Sequence, residues 1–330
     1  MRVVFAAPSL KEASARLRLR RVLPALAAEG IEAEALEIPV RASSRFAFFR
    51  DLRRADTVVL HRKLLNALEF AFLRRCARRL VFDFDDAVMF RDPFRGAPRS
   101  IRRSGRFTRT VRGCHGIVAG NAYLLALAKE AGATGKACLL PTAVDVSRFP
   151  AACTRTGGPF VLGWIGQAST LPYLEDLGPV LEGIARACPG IALRVIADAF
   201  PSFGALPVEA CPWSEEEEPR LLAGIDAGLM PLRDDPWSRG KCGYKILQYF
   251  AAGKPVIASP VGVNAELVVP GVNGILARDA VDWTEAILRL ARNPEERAAM
   301  GGEGLRTLLS GGYALPSVAA RLAAFLRGIV

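Results

Sequence analysis

The chain has only two histidines, His61 and His115, among its 330 residues. Its seven cysteines all lie well apart in the sequence, with no C-x-x-C pair. This scarcity and spacing argue against a zinc site built from clustered His and Cys ligands. The odd cysteine total, without framework spacing, points to buried small hydrophobes in a reducing compartment. No apolar run approaches the roughly 18 residues of a membrane-spanning helix. Met1 leads straight into a strand-like run at 3–7 without the apolar core of a signal peptide, so a cytoplasmic protein is expected. Self-similarity at the period of a solenoid is also missing.

What is present is a folded composition, 51% hydrophobic, in a chain long enough for two cores. The net charge of +11 is unevenly held. Residues 1–150 carry 28 Lys and Arg against 14 Asp and Glu, whereas 151–330 carry 16 against 19. The basic runs include Arg18 and Arg20, the segment 41–54 in which Phe48 and Phe49 sit among arginines, 74–79, and 91–112. Arginines interleaved with aromatics suit an anionic membrane surface, and the same charge would serve nucleic acid or lie on plain solvated helix faces. The membrane-facing reading places the protein on the inner face of a membrane, with Arg18, Arg20, Phe48, Phe49 and Arg62 as acceptor- or membrane-facing residues.

Short apolar runs alternate with helical patterns in both halves, the pattern of parallel α/β units. Strands are expected at 3–6, 34–37, 57–60, 80–83, 116–119 and 137–140, with helices over 12–29 and 64–79 between them. A small-residue segment at 151–159 reads as a linker. The alternation restarts with strands at 160–165, 192–197, 227–230 and 255–258, and helices at 172–187, after Ser214 and after Gly240. The expected fold is two Rossmann-like domains, 1–150 and 160–312, facing each other across a cleft that would hold a ligand at the strands' carboxyl ends. A last amphipathic helix at 313–330 is placed to pack back on the first domain.

Lys241, Lys245 and Gln248 fall at i, i+4 and i+7, one stripe of a helix whose opposite side would be Ile246, Tyr249 and Phe250. That helix follows the loop 235–240, so its free N–H groups and two ammonium groups outline a phosphate or diphosphate site. A solvated amphipathic face would show the same spacing. The strand 160–165 runs into Gly166 and Gln167, a turn where backbone can approach a ligand, with Ser169 or Thr170 to cap the next helix or meet a phosphate oxygen. Asp83, Asp85 and Asp86 crowd three carboxylates at a strand end and call for an offsetting cation, arginine or substrate hydroxyl. A divalent metal on an Asp-x-Asp pattern, a phosphoaspartyl nucleophile, an acceptor-binding cluster and a loop of aspartates paired with arginines all remain open there. His61, just after a strand, could reach the same place.

Taken together, Asp226-Ala-Gly-Leu-Met-Pro-Leu, Trp237-Ser-Arg-Gly-Lys-Cys-Gly-Tyr-Lys, Gln248-Tyr-Phe-Ala-Ala-Gly-Lys-Pro-Val-Ile-Ala-Ser-Pro-Val-Gly-Val-Asn and Pro270-Gly-Val-Asn-Gly resemble family-4 retaining glycosyltransferases of the GT-B fold. Val118-Ala-Gly-Asn121 and Pro141-Thr-Ala-Val-Asp145 are similar to the strand-helix-strand that leads to the family's linker. The resemblance implies a hexosyltransferase-type enzyme of cell-surface polysaccharide or glycolipid assembly, without cofactor or metal. A nucleotide-diphosphate sugar would be held by Gly166, Gln167, Ser169, Lys241, Lys245, Gln248, Gly262 and Asn264, and a glycan or lipid-linked acceptor by the first domain. Asp85, Asp86, Lys241 and Lys245 would carry the chemistry. The chain departs from the pattern where the family has two glutamates with seven residues between them, since Gly240 and Gln248 stand there. Gln167 stands for the usual arginine, and Asp85 and Asp86 replace the usual histidine. A non-catalytic nucleotide-sugar or carbohydrate-binding subunit is the alternative.

Overall fold

A computed structural model describes residues 1–150 and 157–329. The expected linker at 151–159 thus lies, but for its last three residues, outside the described residues. The chain divides into two compact units. The first comprises Met1–Ala143, Asp235–Cys242 and Tyr313–Val330; the second comprises Val144–Asp234 and Gly243–Gly312. The segment 235–242, read from sequence as part of the second domain, thus packs with the first sheet.

In the first unit, β1 (Arg2–Ala7), β2 (Glu32–Glu37), β3 (Thr57–His61), β4 (Leu80–Phe84), β5 (Gly116–Ala119) and β6 (Lys136–Leu139) form one six-stranded sheet in the order β2-β1-β3-β4-β5-β6. Every pairing is parallel. Sheets of this kind are covered by helices on both faces, and β3 and β4 are accordingly buried along their whole length. The order reverses between β1 and β3, so the ends of those strands flank the unit's topological switch point. Helix Leu315–Gly328 belongs to this unit and packs on Val22–Ala28.

The second unit repeats the plan. Strands β7 (Phe160–Ile165), β8 (Ile191–Ala197), β9 (Val208–Pro212), β10 (Ala227–Met230), β11 (Val256–Ala258) and β12 (Gly274–Leu276) form a parallel sheet ordered β12-β11-β10-β7-β8-β9. Its switch point lies between β7 and β10, next to the turn at Gly166. The fold is therefore α/β with two Rossmann-like domains.

Local differences from the sequence reading have identifiable causes. The expected long helix at 12–29 is broken: Arg16–Arg20 winds as a π-helix, with Arg21 N–H donating to the Arg16 carbonyl at 3.1 Å. That wider turn puts Arg18 inside the protein, 4% exposed, instead of on a surface. Phe49 is likewise fully buried in the core beneath the first sheet, and Phe48 packs partly buried beside it. Neither Arg18 nor Phe49 can meet a membrane or an acceptor; of the five residues assigned to that surface, Arg20 is the exposed one.

The helix expected after Gly240 begins only at Tyr244 and ends at Ala251. Gly243 precedes it in the left-handed conformation, φ 66°, which an L side chain rarely adopts. Lys241 is therefore extended chain, and Lys241, Lys245 and Gln248 do not share a helical stripe.

Candidate functional site

The carboxyl ends of β1, β3 and β4 carry a dense polar cluster. Asp83, one residue before the end of β4, receives the Arg18 Nε–H on both carboxylate oxygens at 2.8 and 3.0 Å. It also receives the His61 Nδ1–H at 2.6 Å. Arg18 spends Nη1 on the Leu140 carbonyl at 2.8 Å. All three side chains are buried, so each charge is neutralised on the spot, as a low-dielectric interior requires. On the far side of the imidazole, Nε2 lies 2.9 Å from the Ser14 hydroxyl. Ser14 in turn donates to Asp85, at 2.8 and 2.7 Å from its two oxygens.

Asp85 and Asp86 follow β4 and are gathered by cations. Arg62 Nη2 donates to Asp86 at 2.8 Å, and its Nε lies 3.6 Å from Asp85. Lys241 Nζ donates to the other Asp86 oxygen at 3.1 Å and sits 5.1 Å from the centre of the Trp237 ring. Burial alone would push the Asp85 carboxyl up. The positive charges of Arg62, His61 and Arg18, with the Ser14 hydrogen bond, outweigh it and hold Asp85 at about 2. Asp85 is thus a fixed anion and a poor proton acceptor at neutral pH. Burial would lower the Arg62 guanidinium, yet Asp86 and Asp85 raise it. Arg62 has φ 56°, the one non-glycine residue with positive φ in the described chain. Such a conformation costs on the order of 1 kcal/mol and survives only where surroundings impose it.

The segment 235–242 is held in this cluster by short-range fit. Asn121 caps the helix Ala122–Glu130, accepting the Leu124 N–H at 2.8 Å, and its Nδ2 donates to the carbonyls of Lys241 and Arg239 at 2.9 and 3.3 Å. Cys242 donates its thiol to the Asp85 carbonyl at 3.1 Å, and burial, with Asp85 next to it, pushes that thiol well up. A Cβ on Gly120 would stand 2.3 Å from the Cys242 sulfur. A Cβ on Gly240 would stand 2.6 Å from Ala87 Cβ and 2.9 Å from Ala87 N. The position where the resembled family has its first glutamate is closed to any side chain here. Among the described residues no group of three His, Cys, Asp or Glu side chains is arranged to hold a metal ion.

In the second unit the sequence-assigned residues fall at the ends of β7 and β11 and on one helix. The ring of buried Trp164 carries the Lys245 ammonium 4.1 Å from its centre. A Cβ on Gly166 would strike that ring at 2.2 Å, so the glycine is required for the turn. Gln167 and Thr170 cap each other across the turn, and Ala168 N–H donates to Asp198 at 2.6 Å; Ser169 lies exposed within it. The helix Tyr244–Ala251 has no side-chain cap at its start, and Lys245 stands in its first turn. Gln248 is 3% exposed on the same helix. After β11, Gly262 turns the chain with φ 53°, and buried Asn264 donates to the Ser259 carbonyl at 3.1 Å. The Asn264 side-chain oxygen is buried without a partner among the described residues.

With this geometry in hand, likeness to known proteins can be placed. Residues 180–293 match the family model described as "Glycosyl transferases group 1". The matched stretch runs from before β8 to beyond β12, where Lys245, Gln248, Gly262 and Asn264 stand. No curated protein sequence matches the chain. Among solved structures, the sucrose-phosphate synthase of Thermosynechococcus elongatus superposes with a TM-score of 0.77 at 13% identity, over 99% of this chain and 98% of that one. Anabaena Alr3699/HepE, solved in complex with UDP and glucose, gives 0.72 at 16% identity over 99% and 100%. The lipopolysaccharide outer core galactosyltransferase WaaB, in its apo form, gives 0.66 at 13% identity over 99% and 100%. At such identities the likeness is one of fold, the GT-B fold of two Rossmann-like domains.

The sequence reading names Asp85, Asp86, Lys245 and the Gly166 turn, but not Ser14, Asn121 as a clamp, or the Trp164 ring under Lys245. Ser14 carries no motif at all. Asn121 stands directly after a strand and before an apolar helical run, which is a capping signal, though its second role depends on a segment 120 residues away.

Proposed function

We propose that the chain is a glycosyltransferase that moves a sugar from a nucleotide-diphosphate sugar to a hydroxyl of a glycan or lipid-linked acceptor. The observation that carries this reading is the match of residues 180–293 to the group 1 glycosyltransferase family model. The second unit holds the donor. Lys245 and the uncapped first turn of Tyr244–Ala251 face the diphosphate charge, and Gln248 offers its amide to the ribose hydroxyls. The solved relatives with UDP or UDP-glucose bound support a nucleotide-sugar donor. The first unit holds the acceptor, with Asp85, held as an anion, and Asp86 accepting hydrogen bonds from sugar hydroxyls. Because Asp85 is so weakly basic, it orients the attacking hydroxyl, whose proton passes to the departing diphosphate oxygen on the same face. The anomeric bond to the diphosphate breaks as the acceptor oxygen attacks from the same face, so configuration is retained. Charge growing on the departing diphosphate is what the cations are there to stabilise, and neither a metal nor a cofactor is required.

The basic first unit would work at an anionic membrane. Exposed Arg20, Arg41 and Arg50 support that reading, and among the described residues no helix is long and apolar enough to cross a membrane. Binding to anionic vesicles should weaken as salt rises; binding indifferent to salt would remove this part.

A second reading rests on Gly240. With no room for a carboxylate there, the chain could bind a nucleotide sugar without turning it over, as a subunit of another transferase. Thermal stability against UDP, GDP, ADP, CMP and their sugar conjugates, with slow donor hydrolysis followed in parallel, separates the two. A rise of several degrees with one diphosphate together with released nucleotide supports the enzyme; a rise without hydrolysis supports the binding subunit. No rise with any of them overturns both.

A further inference from the structure

The first unit contains a pocket of about 1160 Å³, larger than the roughly 300–1,000 Å³ of ordinary small-molecule sites. Arg62, which holds Asp86, lines it, so the pocket opens beside the candidate acceptor carboxylates. Seven of its lining residues are Arg or Lys and three are Asp or Glu. Part of that charge is internally matched: Arg45 pairs with Glu69 at 2.6 Å, and Arg62 is taken by Asp86. Among the described residues Arg103 meets only the carbonyls of Phe90 at 2.9 Å and Val88 at 3.4 Å, and Arg106 only that of Leu64 at 3.4 Å. Lys63 and Arg102 form no ion pair in the described chain.

The helix Ile101–Gly113 makes this excess sharper. Ser100 caps it, its first turn holds no acidic residue, and Arg102 and Arg103 stand there instead. Cations at the positive end of a helix dipole are unfavourable by some tenths of a kcal/mol each. The same repulsion shows at Lys63, whose ammonium is pulled down by burial and by Arg45 and Arg106, with Glu69 and Glu12 opposing. Arg102 and Arg103 are exposed and Arg106 is half-buried, yet all three line the one concavity, where an oxyanion would offset their repulsion.

We propose that this pocket binds an acceptor saccharide carrying at least two negative charges, with Lys63, Arg102 and Arg106 as its oxyanion ligands. This deepens the glycosyltransferase reading and rests on it for the word acceptor. Guanidinium groups pair bidentately with phosphate and carboxylate alike, so the shared chemistry is an oxyanion on a sugar, a phosphate ester or a uronate.

The test is calorimetric titration of the full chain with three oligosaccharides of equal length: one phosphorylated, one of uronates, one neutral. The expected result is salt-sensitive binding of one or both charged forms, at least tenfold tighter than the neutral one, and whichever binds identifies the source of the charge. The K63A/R102A double variant should bind the charged form at least tenfold more weakly while its affinity for UDP is unchanged. Equal binding of the neutral oligosaccharide, no binding of either charged one, or an undiminished affinity in the double variant would overturn the proposal. A double variant that loses UDP binding as well would assign the pocket to the nucleotide and overturn it too. Absence of any nucleotide binding by the wild-type chain, with charged oligosaccharides still bound, would instead remove the transferase reading and leave the pocket. Far-ultraviolet circular dichroism and the thermal midpoint of the double variant separate loss of ligand from loss of fold.

Discussion

The Asn121 amide donates to the Lys241 carbonyl at 2.9 Å, across 120 residues of sequence, while its oxygen caps a helix. One side chain thereby fastens the segment 235–242 to the first unit, and with it the ammonium that Asp86 receives. The two jobs use different atoms of the same amide and can be separated.

Replacing Asn121 by Ala should remove both jobs, at a cost of about 1–2 kcal/mol for the cap and on the order of 1 kcal/mol more for the carbonyls left without donors. Asn121→Asp keeps the cap and loses only the donations. Urea denaturation should rank wild type above Asp above Ala. Glycosyl transfer should fall in both variants; an Asp variant with full stability and activity would show that the clamp is idle.

Arg62 combines a left-handed backbone with a buried ion pair. Arg62→Ala should lose the pairing with Asp86 and keep the strain, whereas Arg62→Gly loses the pairing and relieves it. The glycine variant should therefore be more stable than the alanine variant by about 1 kcal/mol. Equal midpoints, or a more stable alanine variant, would mean that φ at this position carries no cost.

Asp85 makes a testable contribution to acid stability. Its folded value, about 2, lies below the ordinary 3.8, so in the window between them the unfolded chain binds more protons. Stability from this group is complete above about pH 4 and is lost as pH falls through about 2, amounting to some 2 kcal/mol. Asp85→Asn should flatten that part of the stability profile. A wild-type profile without slope between pH 4 and 2 would contradict the ion-pair geometry around Asp85.

Lys245 over Trp164 is the donor-side counterpart. Lys245→Ala should abolish the thermal shift given by the nucleotide diphosphate and lower the stability of the free protein by about 0.5–2 kcal/mol through loss of the cation–π contact. Lys245→Arg should restore the stacking and part of the shift. A full nucleotide shift in Lys245→Ala would exclude this lysine from the donor site.

The strands were largely legible because parallel, doubly covered strands must be apolar runs bounded by turns, as at Phe160–Ile165, Gly116–Ala119 and Ala227–Met230. Val208–Pro212 and Gly274–Leu276 escaped notice. The first is an edge strand with mostly exposed residues, and the second is three residues long, so neither shows the buried pattern. Lys245 and the Gly166 turn were visible because helix starts and glycine turns are local in sequence. The stripe joining Lys241 to Lys245 was not real, since Gly243 stops the helix from reaching Lys241.

Sequence by itself determined the α/β class, the two parallel sheets, the concentration of positive charge in the first half and the crowding of three aspartates after one strand. All of these depend on residue type and short spacing. Tertiary structure alone decided that Arg18 turns inward to Asp83, 65 residues away, that Asp86 is held by Arg62 and Lys241, and that 235–242 joins the first unit. The physical reason is the same in each case. A buried charge is stable only beside its counter-charge, and which counter-charge comes within 3 Å is set by how the sheet brings distant strand ends together.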